Sequence, residues 1–262
     1  MLDATYKVNN VRMPLYTLAV VDKHGQPVAH AVMAREDETH VRLFIEDIVQ
    51  WETQVSASTF VTDKDFAEIS AVRHVCPDAS VFLCRFHIMK AFTKEINREG
   101  LDNGESLLQS CRRLLYAGSH GKYSDTLNDI KDNYPRFYRY LQINWLPHES
   151  LFAGYARRGV LHFDNHTNNR LERYHHTIKS VTGSSQISVG LLVDRLHKLL
   201  SVRMMSWQQA DFNSQMRSKP FTADVVPVTA VKCPSLRWNV YRTNITSPQT
   251  VNLAVHRMQI AP

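Results

Sequence analysis

The feature that most limits the fold of this chain is the order in which its residue periodicities change between residues 4 and 99. "ATYKVNN" (4–10), "LYTLAVVD" (15–22) and "PVAHAVM" (27–33) are strand-like runs, separated by turns at Asn9–Asn10 and His24–Gln26. "DETHVRLFIEDIVQWE" (37–52) then places Val41, Phe44, Ile45, Ile48 and Val49 at helical spacing. "STFVTD" (58–63) reverts to a strand, and "DFAEISAVRHV" (65–75) predicts a helix with Ile69 and Val72 as its buried stripe. "ASVFLC" (79–84) is a strand and "FHIMKAFTKEINRE" (86–99) a helix. A meander followed by alternating strands and helices predicts a mixed sheet with helices on its faces.

Composition removes several other classes. With 262 residues, 44% of them hydrophobic, the chain can bury a real core. Its apolar runs, such as "LYTLAVV" (15–21) and "LLVDRLHKLL" (191–200), are too short or too interrupted for a membrane span, and "MLDATYKVNN" lacks the apolar stretch of a signal peptide. Cys76, Cys84, Cys111 and Cys233 are too irregularly spaced for a disulfide framework, which makes a reducing compartment the default. Among nine glycines there is no G-x-G-x-x-G and no P-loop, against a nucleotide-binding fold. The net charge of +6 is compatible with a polyanionic partner and is weak support for one.

Beyond residue 100 the texture becomes helical. "ESLLQSCRRLLYAG", "YSDTLNDIKDNY" and "PRFYRYLQINWL" all carry helical spacing, with Tyr123, Leu127 and Ile130 at i, i+4, i+7 and Pro135 suited to a first turn. "NNRLERYHHTIKS" (168–180) predicts a helix with Leu171, Tyr174, His175 and Ile178 on one face, and a longer helix spans about 188–209. The expected segments are 1–100, the first part of the core; 101–160, an all-helical insertion; 161–210, which completes the core; and 211–262, a C-terminal extension in which no element is placed.

The order β-β-β-α-β-α-β-α matches the ribonuclease-H-like fold, an α/β architecture with a mixed five-stranded sheet whose first and fourth strands are neighbours. Adjacency would aim Asp3, in the first strand, and Asp63, at the end of the fourth, into one cleft. Glu172, in the helix after the insertion, is the third acid. Three converging carboxylates repel one another unless a cation lies between them. Phosphodiester cleavage uses two divalent ions roughly 3.5–4 Å apart, and Mg²⁺ prefers carboxylate oxygen and water. Each acid also has a plainer reading. Asp63 suits an N-cap for the helix near residue 65, Glu172 suits the third position of a capping box begun by Asn169, and Asp3 alone carries little.

Four pieces in order, "LDATYKVN" (2–9), "FVTDKDFAEI" (60–69), "PDASVFLCRFHIMKAF" (77–92) and "WLPHESLFAGYARR…HTNNRLERYHHTIK" (145–179), resemble a Mutator-like (MULE) transposase domain. The resemblance is closest to the transposase-derived ribonuclease-H-like domain of SWIM zinc-finger proteins. It implies an Asp-Asp-Glu catalytic and metal-binding triad of Asp3, Asp63 and Glu172, holding Mg²⁺ or Mn²⁺. Cys84 and His87 match the family's Cys-x-x-His element. Beside the site they would either brace the strand–helix junction or contact DNA, and a buried Cys84 with a hydrogen-bonded His87 is the reading preferred over half of a zinc site. His162, His166, His175 and His176 lack finger spacing, so no zinc site is assigned.

The function implied is metal-dependent DNA cleavage and strand transfer. The alternative is a domesticated, non-catalytic DNA- or protein-binding module of a nuclear regulator, and ribonuclease H activity ranks below both. Implied partners are DNA and, as an open option, a second copy of the chain, with no membrane and no small-molecule cofactor; the implied compartment is the nucleus. Arg112, Arg113, Arg136, Arg157 and Arg158, interleaved with Tyr and Phe, form a candidate phosphate track or an ordinary solvated face. The first strand begins almost at Met1, and the tail has only Cys233 where a SWIM finger needs Cys-x-Cys and Cys-x-His, so the chain is expected to be a fragment without that finger.

Overall fold

The computed structural model describes residues 1–20, 26–51, 59–100, 103–160, 162, 165–217, 236–242 and 254–260. Three strands come first, β1 (Leu2–Thr5), β2 (Leu15–Val20) and β3 (Gln26–Val32). Helix α1 (Glu38–Trp51), β4 (Thr59–Thr62), α2 (Phe66–Val75), β5 (Ser80–Leu83) and α3 (Arg85–Glu99) follow in the expected order. β1 is earlier and shorter than the run 4–10 suggested. Lys7 and Arg12 both adopt left-handed backbone, with φ of 60° and 58°, which a strand cannot continue through. The Asn9 side chain closes the turn by donating to the Met13 carbonyl at 2.7 Å and accepting from its N–H at 3.0 Å. Residues 24 and 25 of the second expected turn lie outside the described residues.

The strands form small sheets. β1, β2 and β3 lie in a sheet of order β1-β2-β3-β7-β6, which uses the C-terminal strands β6 (Leu236–Arg242) and β7 (Ala254–Ile260). Met1 and Ala19 exchange both backbone hydrogen bonds at 2.9 Å, the signature of an antiparallel pair. β7 adds antiparallel to β3 with His30 opposite His256, and β6 pairs antiparallel with β7. β4 and β5 pair in parallel by themselves. The fold is therefore mixed α/β and mostly helical. Among the described residues β1 is not laddered to β4, and the first five strands do not form one five-stranded sheet.

Two compact units make up the chain. The first comprises residues 1–3, 18–26 and 36–172. Val41, Phe44 and Ile45 of α1, Ile69 and Val72 of α2, and Ile88, Phe92 and Ile96 of α3 are buried in it, as their helical spacing requires. After α3, Gly100 caps the helix with φ 61°, a conformation in which a Cβ is strained. The insertion follows as α4 (Gly104–Leu115), α5 (His120–Asn133), α6 (Pro135–Asn144) and the short α7 (Glu149–Phe152). Phe92 fixes it to α3 through edge-on contacts with Phe137 and Trp145, at centroid distances of 5.7 and 5.1 Å. Gly154 lets the chain after α7 pass close to the end of α4, where a Cβ would meet the carbonyls of Leu115 and Ala117 at 2.7 Å.

The second unit comprises residues 4–17, 27–35 and 173–262. Its core joins Val8, Leu15 and Val32 to Tyr174 and Ile178 of α8 (Asn169–Thr182) and to Leu192, Leu196 and Leu200 of α9 (Val189–Arg217). No described helix is long and apolar enough to cross a membrane.

Candidate functional site

The site begins with strand register. Thr62 of β4 lies opposite Leu83 of β5 in a parallel pair, and the Cys84 N–H donates to the Thr62 carbonyl at 2.8 Å. The next residues, Asp63 and Cys84, therefore leave the C-terminal ends of neighbouring parallel strands together, where α/β folds place their ligands. Cys84 is also the N-cap of α3, so His87 falls in the first turn of that helix, above the strand ends.

His87 joins two of the three acids. Its Nδ1 lies 2.5 Å from Asp63 Oδ1 and its Nε2 lies 3.1 Å from Glu172 Oε1. The Asp63 carboxylate, and next the Cys84 sulfur, hold the imidazolium well above its ordinary range, at about 10. Burial opposes that shift and is outweighed. Asp63, Cys84 and His87 each offer a metal-ligand atom, and these atoms all lie within 4.8 Å of one another.

The plainer roles for the two acids are filled otherwise. The N-cap of α2 is Asp65, whose Oδ1 accepts from the N–H groups of Ala67 at 2.8 Å and Glu68 at 3.3 Å. Glu172 donates its backbone N–H to the Asn168 carbonyl at 3.0 Å, as any helical residue does, while its carboxylate turns to His87. Asp3 lies near enough that its charge, with those of Asp65 and Asp63, acts on Glu68.

Sequence reasoning passed over two residues here. Glu68 is 4% exposed, hydrogen-bonded to the Thr62 hydroxyl, and pushed up to about 8, first by burial. Its signal was present, because it lies one residue before Ile69 and four before Val72, on the buried side of α2. Asn168 is fully buried. Its N–H donates to Cys84 Sγ at 3.2 Å and its side-chain amide donates to Asp63 Oδ1 at 3.3 Å. Only its place just before a helix hinted at a special role.

The arginines divide. Arg136 and Arg158 are exposed. Arg112 pairs with Glu105 and Arg113 with Asp129, each at 3.4 Å. Arg157 does not lie on an exposed track: it is 2% exposed and donates to the Leu83 carbonyl at 2.5 Å, with its guanidinium 4.8 Å from the Phe82 ring. It ties the loop after α7 to the end of β5. Arg85, also buried, stacks 4.0 Å over Tyr116.

The chain is 30% identical over 98 residues to Protein FAR1-RELATED SEQUENCE 5 of Arabidopsis thaliana, a stretch that covers 36% of this chain and 12% of that protein. The chain thus corresponds to a small part of the length of that relative. The matched family segment contains Asp3, Asp63, Cys84 and His87 and ends before Glu172: over residues 1–91 this chain matches the MULE transposase domain.

Proposed function

We propose that this chain is a transposase-derived domain on a ribonuclease-H-like core, in which Asp3, Asp63 and Glu172 hold divalent metal for cleavage of DNA phosphodiesters. The observation that carries the proposal is the convergence of the Asp63 and Glu172 carboxylates on one imidazolium, although they come from elements far apart in the chain. A place filled by a protonated ring between two carboxylates is a place suited to a cation, and oxygen donors of this kind fit Mg²⁺ or Mn²⁺. When bound, such ions activate the attacking oxygen and stabilise the leaving one. The chain's own residues prepare the place. Asn168 orients Asp63, the Thr62–Glu68 contact fixes the end of β4, and His87 balances the acids. Exposed Arg136 and Arg158 are the proposed phosphate contacts, and a DNA substrate implies the nucleus.

A second reading is favoured by the same ion pairs. Acids already neutralised by His87 need no metal, as befits a DNA- or protein-binding module that no longer cuts. Calorimetric titration of Mn²⁺ into the chain and its Asp63→Asn variant, with supercoiled-plasmid nicking in the same samples, separates the two. Binding and nicking that both vanish in the variant support the enzyme. A folded wild type that binds no Mn²⁺ and leaves the plasmid intact supports the module.

A further inference from the structure

We infer that Asp63, Cys84 and His87 form a site for a single thiophilic divalent ion of the Zn²⁺ class, separate in ligand set from the all-carboxylate site and sharing Asp63 with it. One carboxylate, one thiol and one imidazole at the ends of two strands and the start of a helix make up three of the four ligands that Zn²⁺ takes. A soft sulfur and a nitrogen select Zn²⁺ or Co²⁺ over Mg²⁺.

The surroundings are those of a metal site. His87 Nδ1 faces Asp63, while its Nε2 faces the Glu172 carboxylate at 3.1 Å. A carboxylate on the far nitrogen of a ligating histidine fixes its ring and raises its basicity. The Asn168 N–H donated to Cys84 Sγ at 3.2 Å holds the sulfur in place and favours its thiolate form. Asn168 also supplies an independent sign of a missing ligand. It is fully buried and touches both Asp63 and Cys84, yet its Oδ1 has no hydrogen-bond partner among the described residues. A buried carbonyl oxygen left unpaired is costly, and it is the fourth donor this site offers. On binding, the 2.5 Å contact between His87 Nδ1 and Asp63 opens to admit the ion, and one proton from the imidazolium and one from the thiol pass to solvent.

The consequence for function rests on the phosphoryl-transfer reading: an ion held here withdraws Asp63 from Asp3 and Glu172, and Zn²⁺ inhibits nicking. The site itself is tested without activity. Co²⁺ is titrated into the full chain, and the near-ultraviolet thiolate-to-cobalt absorption is followed. We expect a band saturating at one ion per chain, displaced by Zn²⁺ and not by a large excess of Mg²⁺. It should be lost in Cys84→Ser, weakened more than about a hundred-fold in His87→Gln, beyond what outer-shell changes do, and kept in Cys76→Ser and Asp3→Asn. His87 is partly exposed, so His87→Gln stays informative if Cys84→Ser does not fold. No band in the wild type, a band surviving in His87→Gln at wild-type affinity, or equal displacement by Mg²⁺ overturns the proposal. Mn²⁺ binding that fails in Asp3→Asn while the cobalt band persists shows that the two sites differ in ligands although they share Asp63, and the reverse pattern overturns this one alone.

Discussion

His87 in the first unit and His30 in the second are each engaged through both ring nitrogens, in opposite chemical surroundings. His30 is 1% exposed; its Nδ1 lies 3.1 Å from Thr17 Oγ1 and its Nε2 2.9 Å from the Tyr174 hydroxyl. His175, also buried, reaches the same Thr17 hydroxyl at 3.1 Å. These contacts join hydroxyls and imidazoles, the Arg203 guanidinium stacks 4.8 Å over the Tyr174 ring, and burial pushes the Tyr174 hydroxyl well above its ordinary range. His87 instead is partly open to solvent and sits between two carboxylates and a sulfur. A buried network of hydroxyls and imidazoles specifies a core, whereas opposed charges kept near water form a site at which something can exchange. The difference separates a histidine that holds a fold from one that, on the proposed reading, serves a site.

The largest expected effect breaks the comparison in stability. His30→Ala strips partners from two buried hydroxyls and leaves a cavity, at a cost of about 3–5 kcal/mol. His87→Ala removes ion pairs that solvent partly screens and fills no core space, so it is expected to cost clearly less than His30→Ala. Urea unfolding of both variants checks this. Equal losses would make His87 a core residue and remove the distinction.

Next comes the pH dependence of the first unit. Glu68 holds its proton up to about 8 in the folded chain, against an ordinary value of 4.5. The folded state binds this proton more tightly than the unfolded chain. Its contribution is therefore full below about pH 4.5 and is lost as pH rises through about 8. Each unit between the two values corresponds to about 1.4 kcal/mol, so the loss approaches about 5 kcal/mol by pH 9. Glu68→Gln keeps the hydrogen bond to Thr62 without the charge. It is expected to flatten the fall in Tm between pH 5 and 9 and to melt above the wild type at pH 9. A variant whose Tm tracks the wild type over that range would show Glu68 to be solvated.

How much of this was legible follows from where the partners lie. The helices of 37–99 and the insertion could be read because their apolar stripes repeat within one element, as Phe92, Ile88 and Ile96 do. β6 and β7 could not, because what defines a strand here is pairing with β3, a partner far away in sequence. Asp63 and Glu172 were legible only as members of a family pattern, since nothing local distinguishes a ligand from a cap. The contact of His87 with both acids depends on the register of Thr62 with Leu83, which no periodicity encodes.

The smallest effect sharpens the division within one short loop. Asp65 caps α2 through two backbone N–H groups, and Asp63, two residues earlier, turns to His87. Asp65→Ala should cost about 1 kcal/mol, the usual worth of a cap, and leave Mn²⁺ affinity where it was. Asp63→Asn keeps size and shape at a partly exposed position, so it should change stability by less than about 1 kcal/mol and remove Mn²⁺ binding. Thermal melts and calorimetry on the two variants form a crossed test. If Asp65→Ala weakens metal binding as much as Asp63→Asn does, the acids of this loop act as a diffuse negative patch. If the effects stay crossed, strand register alone has divided one Asp-x-Asp sequence into a structural carboxylate and a functional one.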